Sequence, residues 1–280
     1  MSQRYQGQAV SCLTQHGKVA LIAPTLEPAL GCHIVQTSGY NTDLLGTFTG
    51  DVPRLEGQID TARTKARIGM NLSGLPIGLA SEGAFGVDPF GGLMPWNIEV
   101  LIWLDDQAKL EVVGIAQGPA RHLQRTIESI DALETFALEA GFPDHHLVLR
   151  PEGPTDTRIR KGLHRWDALR DAFLECQREA RNPCVHVEHD LRAFCNPTRQ
   201  NMIRQAAADL LKKIQSCCPR CSSPGFAIAG HTPGLPCRWC QHPTRLAQSF
   251  RWTCPACQHS REEPNPATRA EPDWCDRCNP

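Results

Sequence analysis

Long apolar runs are missing from this 280-residue chain, and with them any segment approaching the ~18 residues that cross a bilayer. The opening MSQRYQGQAVSCLTQHGK also lacks the charged, apolar and small-residue regions of a secretory leader, so the expected location is the cytoplasm, with no membrane partner. Excess charge is absent too: a formal net charge of −1 offers no global attraction to nucleic acid or anionic lipid. Cysteine is sparse for most of the length, since only five of 14 cysteines precede residue 217. A reducing compartment disfavours disulfides, so the remaining cysteines are read as metal ligands.

Those cysteines form four C-x-x-C knuckles: Cys218/Cys221, Cys237/Cys240, Cys254/Cys257 and Cys275/Cys278, separated by 15, 13 and 17 residues. Such lengths suit zinc ribbons, in which two knuckles complete one tetrahedron. Eight thiolates then make two closed structural sites with no open position for water or substrate. The intervening GFAIAGHTPGLP is poor in core-forming residues, so metal binding supplies folding energy. Two pairings are considered: first with second and third with fourth knuckle, or an inner pair enclosed by an outer one. Cys217 is out of register and reads as a spare thiol, and His231, His242 and His259 are not required as ligands. Arg238, Arg245, Arg251, Arg261, Arg269 and Arg277 with Trp239, Trp252 and Trp274 offer charge and stacking faces for nucleic acid, although acidic residues in the same segment nearly balance them.

The preceding residues divide into short apolar segments and amphipathic ones. VALIAP, HIVQT, PIGLAS, IEVLIWLDD and LEVVGIA read as strands. IDTARTKARIGMNLSG reads as a helix stopped at Gly74, and a second helix carries Ile127, Ile130, Leu133 and Ala137 on one face before Gly141 and Pro143. LHRWDALRDAFLECQREA places Leu163, Trp166, Leu169, Phe173 and Cys176 at helical spacing, and NPTRQNMIRQAAADLLKKIQ forms a further amphipathic helix. The expected fold class is α/β, a mixed sheet with flanking helices, followed by a small double zinc-ribbon module. The expected domains are 1–215 and 216–280.

Polar clusters where loops would follow strands mark candidate ligand sites, because α/β proteins bind at the carboxyl ends of their strands. Thr14, His16 and Lys18 sit two apart and can hold phosphate oxygens. Asp43 with Thr47 and Thr49 lies among glycines that let backbone donors approach an anion, or the acid a metal. Glu82 follows an apolar strand amid small residues, and with Glu99 and Asp105/Asp106 has magnesium chemistry. In CVHVEHDLRAFCNPTRQ, alternation puts His186, Glu188 and Asp190 on one face and Val185 and Val187 on the other. Arg192, Asn196 and Arg199 follow near a helix start suited to phosphate, although an ordinary ion-pair network explains the same charges. Lys161 is a further candidate cation. His145/His146 read as a loop edge.

The order of these motifs resembles a known superfamily. VSCLTQHGKVALIAPTLEPALGCHIVQT, then GTFTG, TARTKAR and IGLASEGAFGVDPFGG, is similar to the opening of the inosine triphosphate pyrophosphatase superfamily, with His16 where that family often has Asn. The resemblance implies that Thr14 and Lys18 hold phosphates, Asp43 and Glu82 help bind magnesium, and Lys65 faces a nucleotide. It covers roughly residues 10–110, and the late Ser-His-Arg motif of many members is missing. Over nearly its full length the chain resembles an uncharacterised bacterial family marked by Glu188–Ala193, Asn196–Arg199 and a tail from Cys275 to Pro280, which implies organisation and no activity.

Together these readings lead to the expectation of a magnesium-dependent hydrolase of a phosphorylated, nucleotide-like small molecule, with two structural zinc ions in its tail. Asp43, Glu82, Glu188 and Asp190 are the candidate catalytic carboxylates. Thr14, His16, Lys18, Thr47, Thr49, Lys65, Lys161, Arg192, Asn196 and Arg199 are the candidate substrate contacts. The alternative is a non-catalytic adaptor whose zinc module binds nucleic acid or protein.

Overall fold

The structure is a computed structural model of the chain and describes residues 4–15, 17–45 and 56–280. The candidates His16, Thr47 and Thr49 lie outside the described residues, as does the side chain of Asp43. Two compact units emerge, one of Ser2–Leu104 with Val113–Leu210 and one of Asp105–Val112 with Leu211–Pro280.

The first unit opens with β1 (Ala9–Leu13), α1 (Val19–Leu30), β2 (His33–Thr37), α2 (Gln58–Ser73) and β3 (Ile77–Val87). VALIAP, expected as a strand, is instead the first half of α1. Ile22, Leu26 and Leu30 recur every four residues and are all buried, a stripe that only a helix can present to one side. Pro24 and Pro28 sit inside this helix, giving up two backbone hydrogen bonds, which is why the sequence reads as ending an element there. Gly31, at φ 70°, closes it in the left-handed conformation.

Strands β1, β2 and β3 are parallel, with β1 in the middle. The chain therefore crosses from β1 to β2 on one side and then past β1 to β3 on the other. Right-handed crossovers place α1 and α2 on opposite faces, and the carboxyl ends of β1 and β3 become a topological switch point. Beyond the end of β1, β3 continues beside β4 (Pro95–Asp105), which pairs in turn with β5 (Leu110–Pro119). Such short turns join antiparallel neighbours, so the sheet is mixed. Asp88 pins the β3–β4 turn: its carboxylate accepts hydrogen bonds from the backbone N–H of Phe90, Gly91, Leu93 and Met94, which hold its carboxyl well below the usual range.

A second, antiparallel sheet follows, built from β6 (Gln124–Ile127), β7 (Leu147–Arg150), β8 (Arg160–Leu163) and β9 (Val185–His189) in the order β6-β9-β7-β8. Helices α3 (Ile130–Ala140) and α4 (Trp166–Glu179) supply Leu133, Phe136, Leu169 and Phe173 to a core with Ile127, Leu147, Leu149, Val185 and Val187. Ile127 and Leu163, expected on helices, are strand residues. Ser129 ends the extended segment after β6, because its hydroxyl caps α3 by accepting from Ala132 N at 3.2 Å. The segment around His145/His146, expected as a loop edge, leads directly into β7. A last helix, α5 (Pro197–Gln215), begins with Asn196 Oδ1 accepting from Arg199 N at 3.0 Å.

In the other unit, β10 (Ala227–Pro233), β11 (Ala247–Thr253) and β12 (Ser260–Pro264) form a three-stranded antiparallel sheet. One strand lies in each interval between successive knuckles, so the chain runs from one end of the sheet to the other and back. Knuckles one and three thus fall at one end, and two and four at the other.

Candidate functional site

The eight knuckle cysteines form two clusters, Cys218/Cys221/Cys254/Cys257 and Cys237/Cys240/Cys275/Cys278. Both pairings expected from the sequence are replaced by this interleaved one, and the physical reason is the strand in every interval. Sulfur–sulfur distances across the sites are 3.7, 3.6, 3.9 and 3.6 Å. A tetrahedron with Zn–S of about 2.3 Å has edges of about 3.8 Å, so both clusters fit zinc with every ligand position filled. They are structural zinc sites.

Local backbone geometry repeats from knuckle to knuckle. The residue after the second cysteine returns its N–H to the carbonyl of the first: Ser222 to Cys218 at 2.9 Å, Gln241 to Cys237 at 3.0 Å, Gln258 to Cys254 at 3.1 Å and Asn279 to Cys275 at 2.8 Å. Three of these residues, Ser222, Gln241 and Gln258, have φ between 58° and 62°. Phe226 and Trp252 stack at 5.8 Å beside the first site, and His259 stacks on the same Phe226 ring instead of acting as a ligand. Trp239 and Trp274, both on the second site, are exposed. Arg238 is paired with Glu271 and Arg245 with Asp276, so the charge around these aromatics is largely neutralised.

In the first unit, charged side chains from five chain segments converge at the switch point. Lys18, at the start of α1, donates from Nζ to Ser81 O at 3.0 Å and lies 3.4 Å from Ser81 Oγ. Lys65 of α2 is paired with Glu82 of β3. Arg199 of α5 donates from Nε to Glu99 Oε1 of β4 at 2.7 Å and from Nη1 to Leu191 O at 2.6 Å. Lys18, Glu82, Glu99 and Arg199 are each at most 7% exposed. Lys18 is pushed down to about 8, chiefly by burial and next by the Arg199 charge, with Glu99 and Glu82 partly offsetting both. Three cations against two carboxylates give these five side chains a formal charge of +1. Gln58 bridges the splayed strands by donating to both Glu82 O and Ile98 O at 2.8 Å.

The close approach of β3 to this ion pair requires a glycine. A Cβ on Gly83 would stand 2.4 Å from Arg199 Nη2 and 2.4 Å from Glu99 Oε1. Beside Glu99, Asn97 Nδ2 donates to Glu99 Oε1 at 3.2 Å, while Glu99 Oε2 is buried with no hydrogen-bond partner. Thr14, immediately after β1, is buried near the same strand ends.

Other sequence candidates occupy the polar face of the second sheet. Glu188 Oε1 accepts from Arg150 Nε at 3.2 Å, and Glu188 Oε2 lies 3.7 Å from His186 Nε2. Burial raises the Glu188 carboxyl, but these neighbours outweigh it and leave it low. Asp190 is engaged bidentately by Arg192 at 2.6 to 3.1 Å and by Gly162 N at 3.0 Å, while Lys161, next to Gly162, is exposed. Asp105 caps the β4–β5 turn by accepting from Ala108 N at 2.9 Å.

Sequence reasoning reached Lys18, Lys65, Glu82 and Arg199 and named Glu99 beside Glu82 for magnesium, but it did not reach Gly83, Ser81 or Gln58. Glu99 had a legible signal, a carboxylate alternating in phase with Leu101 and Trp103 on a strand that is otherwise core. Gly83 and Gln58 had none, because their roles depend on strands that meet only in three dimensions.

Among the described residues no helix is long and apolar enough to cross a membrane. No similar protein was found among curated proteins. Residues 65–280 match the family model DUF6671, a domain of unknown function. The chain belongs to that family.

Proposed function

We propose that this DUF6671 protein binds a phosphorylated, nucleotide-like small molecule at the carboxyl ends of β1 and β3 and hydrolyses its phosphoanhydride bond. The observation that carries the reading is the convergence of Lys18, Lys65 and Arg199 with Glu82 and Glu99 at the switch point. Two buried cations, the half-buried Lys65 and two carboxylates suit a polyanion that supplies the missing negative charge. Water would add to phosphorus, the bond to the leaving phosphate would break, and a carboxylate of Glu82 or Glu99 would take the proton from water. Lys18, Lys65 and Arg199 would neutralise charge growing on the phosphoryl oxygens.

Magnesium fits only in the mode where one or two carboxylates and substrate phosphates share the ion, because no group of three acidic or imidazole ligand atoms converges among the described residues. Glu99 Oε2 is the oxygen available for it, and the ion would draw charge from the phosphates. A nucleic-acid role for the zinc module has less support, given the pairing of Arg238 and Arg245 with acids. The test is release of phosphate or pyrophosphate from a panel of nucleoside triphosphates with magnesium. Turnover by wild type and its loss in Glu82→Gln supports the reading. Absence of turnover with every substrate removes the hydrolytic step, and equal turnover in both proteins removes Glu82.

A further inference from the structure

The second sheet of the first unit has one face packed on α3 and α4 and one face that is polar. In the β6–β9 register Thr126 lies opposite His186 and Gln124 opposite Glu188, and in the β7–β9 register Arg150 lies opposite His186. Opposed residues of an antiparallel pair point to the same side, so Gln124, Thr126, Arg150, His186 and Glu188 share the face turned away from the core, together with the buried Val148 opposite Glu188. His122, two residues before β6, joins them: its imidazole is lowered first by burial and then responds to the charges of Glu188 and His186.

Two atoms on this face make no hydrogen bond. His186 is 5% exposed, and its Nε2 is buried without a hydrogen bond, the 3.7 Å to Glu188 Oε2 being beyond hydrogen-bond reach. His122 Nε2 is likewise buried without a hydrogen bond. Leaving a buried polar atom unsatisfied costs about 1–3 kcal/mol. Two such buried atoms lie near a carboxylate held by Arg150.

Phe85 connects this surface to the charged cluster. Its ring centroid lies 5.9 Å from the Arg199 guanidinium carbon and 6.2 Å from the His122 ring. The complement is not a single metal ion, because the atoms of His122, His186 and Glu188 do not converge within the 4.8 Å that encloses the cysteine clusters, and the buried Arg150 cation opposes one. A group that carries several hydroxyl donors suits a set made of imidazole and carboxylate acceptors.

We propose that His122, His186 and Glu188 form a second subsite, which takes the vicinal diol of a sugar carried by the phosphorylated ligand. The inference rests on the phosphate site proposed above. The two hydroxyl groups would donate to the imidazole Nε2 atoms or to the Glu188 carboxylate, in the way an acidic residue commonly recognises ribose hydroxyls. The ligand is then a ribose-containing phosphate ester, and the subsite discriminates it from deoxygenated analogues.

Calorimetric titration of the full-length, zinc-loaded protein tests this with three probes: inorganic triphosphate, ribonucleoside triphosphates and their 2′,3′-dideoxy counterparts. Wild type should bind at least one ribonucleotide about 10-fold or more tighter than its dideoxy partner, a factor of ten for each net hydrogen bond of about 1.4 kcal/mol. His122→Ala and His186→Ala should erase that ratio and leave inorganic triphosphate affinity unchanged. Binding of inorganic triphosphate with equal ribo and dideoxy affinities overturns the subsite and spares the phosphate site. If none of the three binds, both fall. The wild-type comparison needs no substitution, so a variant that fails to fold does not blunt the result.

Discussion

Interleaved zinc sites should bind their ions cooperatively, and Cys275→Ser is the substitution that measures how strongly. Within the first site Cys221 and Cys254 are 33 residues apart, and within the second Cys240 and Cys275 are 35 apart. Closing a loop of either length costs about 4 kcal/mol in chain entropy. In the intact module β10, β11 and β12 run between the two sites, so the ordering that one ion produces is shared by the other. The buried apolar cluster there comprises little beyond Phe226 and Trp252 with the thiolates of the first site, too small to hold the sheet alone. Once Cys275→Ser weakens the second site, the first must meet its closure cost unaided, which corresponds to about a 10³-fold loss of zinc affinity. Competition with a graded series of chelators, read as zinc per chain, should show wild type falling from two ions to none in one step. The variant should release its remaining zinc at about 10³-fold weaker chelation. A variant that keeps one zinc at wild-type affinity would refute the shared-sheet argument.

Three further outcomes follow from the charged cluster. Gly83→Ala should destabilise the protein by about 1–3 kcal/mol, read by denaturant unfolding, because its Cβ must displace Arg199 or Glu99. Lys18 is held at about 8, below its usual value. Its protonated form is therefore disfavoured by folding, and its contribution to stability should rise as pH increases from about 8 towards the ordinary lysine value and be lost as pH falls through 8. Anion affinity should run the opposite way, declining above about pH 8 as the ammonium loses its proton, whereas Lys18→Arg should flatten that decline in a binding profile from pH 6.5 to 9.5.

Much of this was legible in the sequence where a local rule governs. Repeated C-x-x-C spacing announces zinc, Gly74 and Gly141 announce helix ends, and alternation in VHVEH separates a core face from a polar one. What escaped depends on topology. VALIAP reads as a strand because Pro24 interrupts it, and only the burial of Ile22, Leu26 and Leu30 on one side reveals a helix. The knuckle pairing escaped because loop length alone does not say that each interval holds a strand. Glu82, expected just after a strand, lies within β3 because that strand outruns β1, and this overhang brings it to Lys65 and the switch point. His122 carries no sequence signal, since its place opposite Phe85 arises from two sheets meeting.

The most direct test of the central claim is titration of inorganic triphosphate into wild type and Lys18→Met at pH 7. Lys18 donates to Ser81 O at the switch point and supplies the charge that leaves the cluster positive. The account predicts saturable, salt-sensitive binding to wild type with one site per chain, weakened at least about 10-fold in Lys18→Met. Equal binding by a folded Lys18→Met protein, or no binding by wild type at low salt, would contradict it.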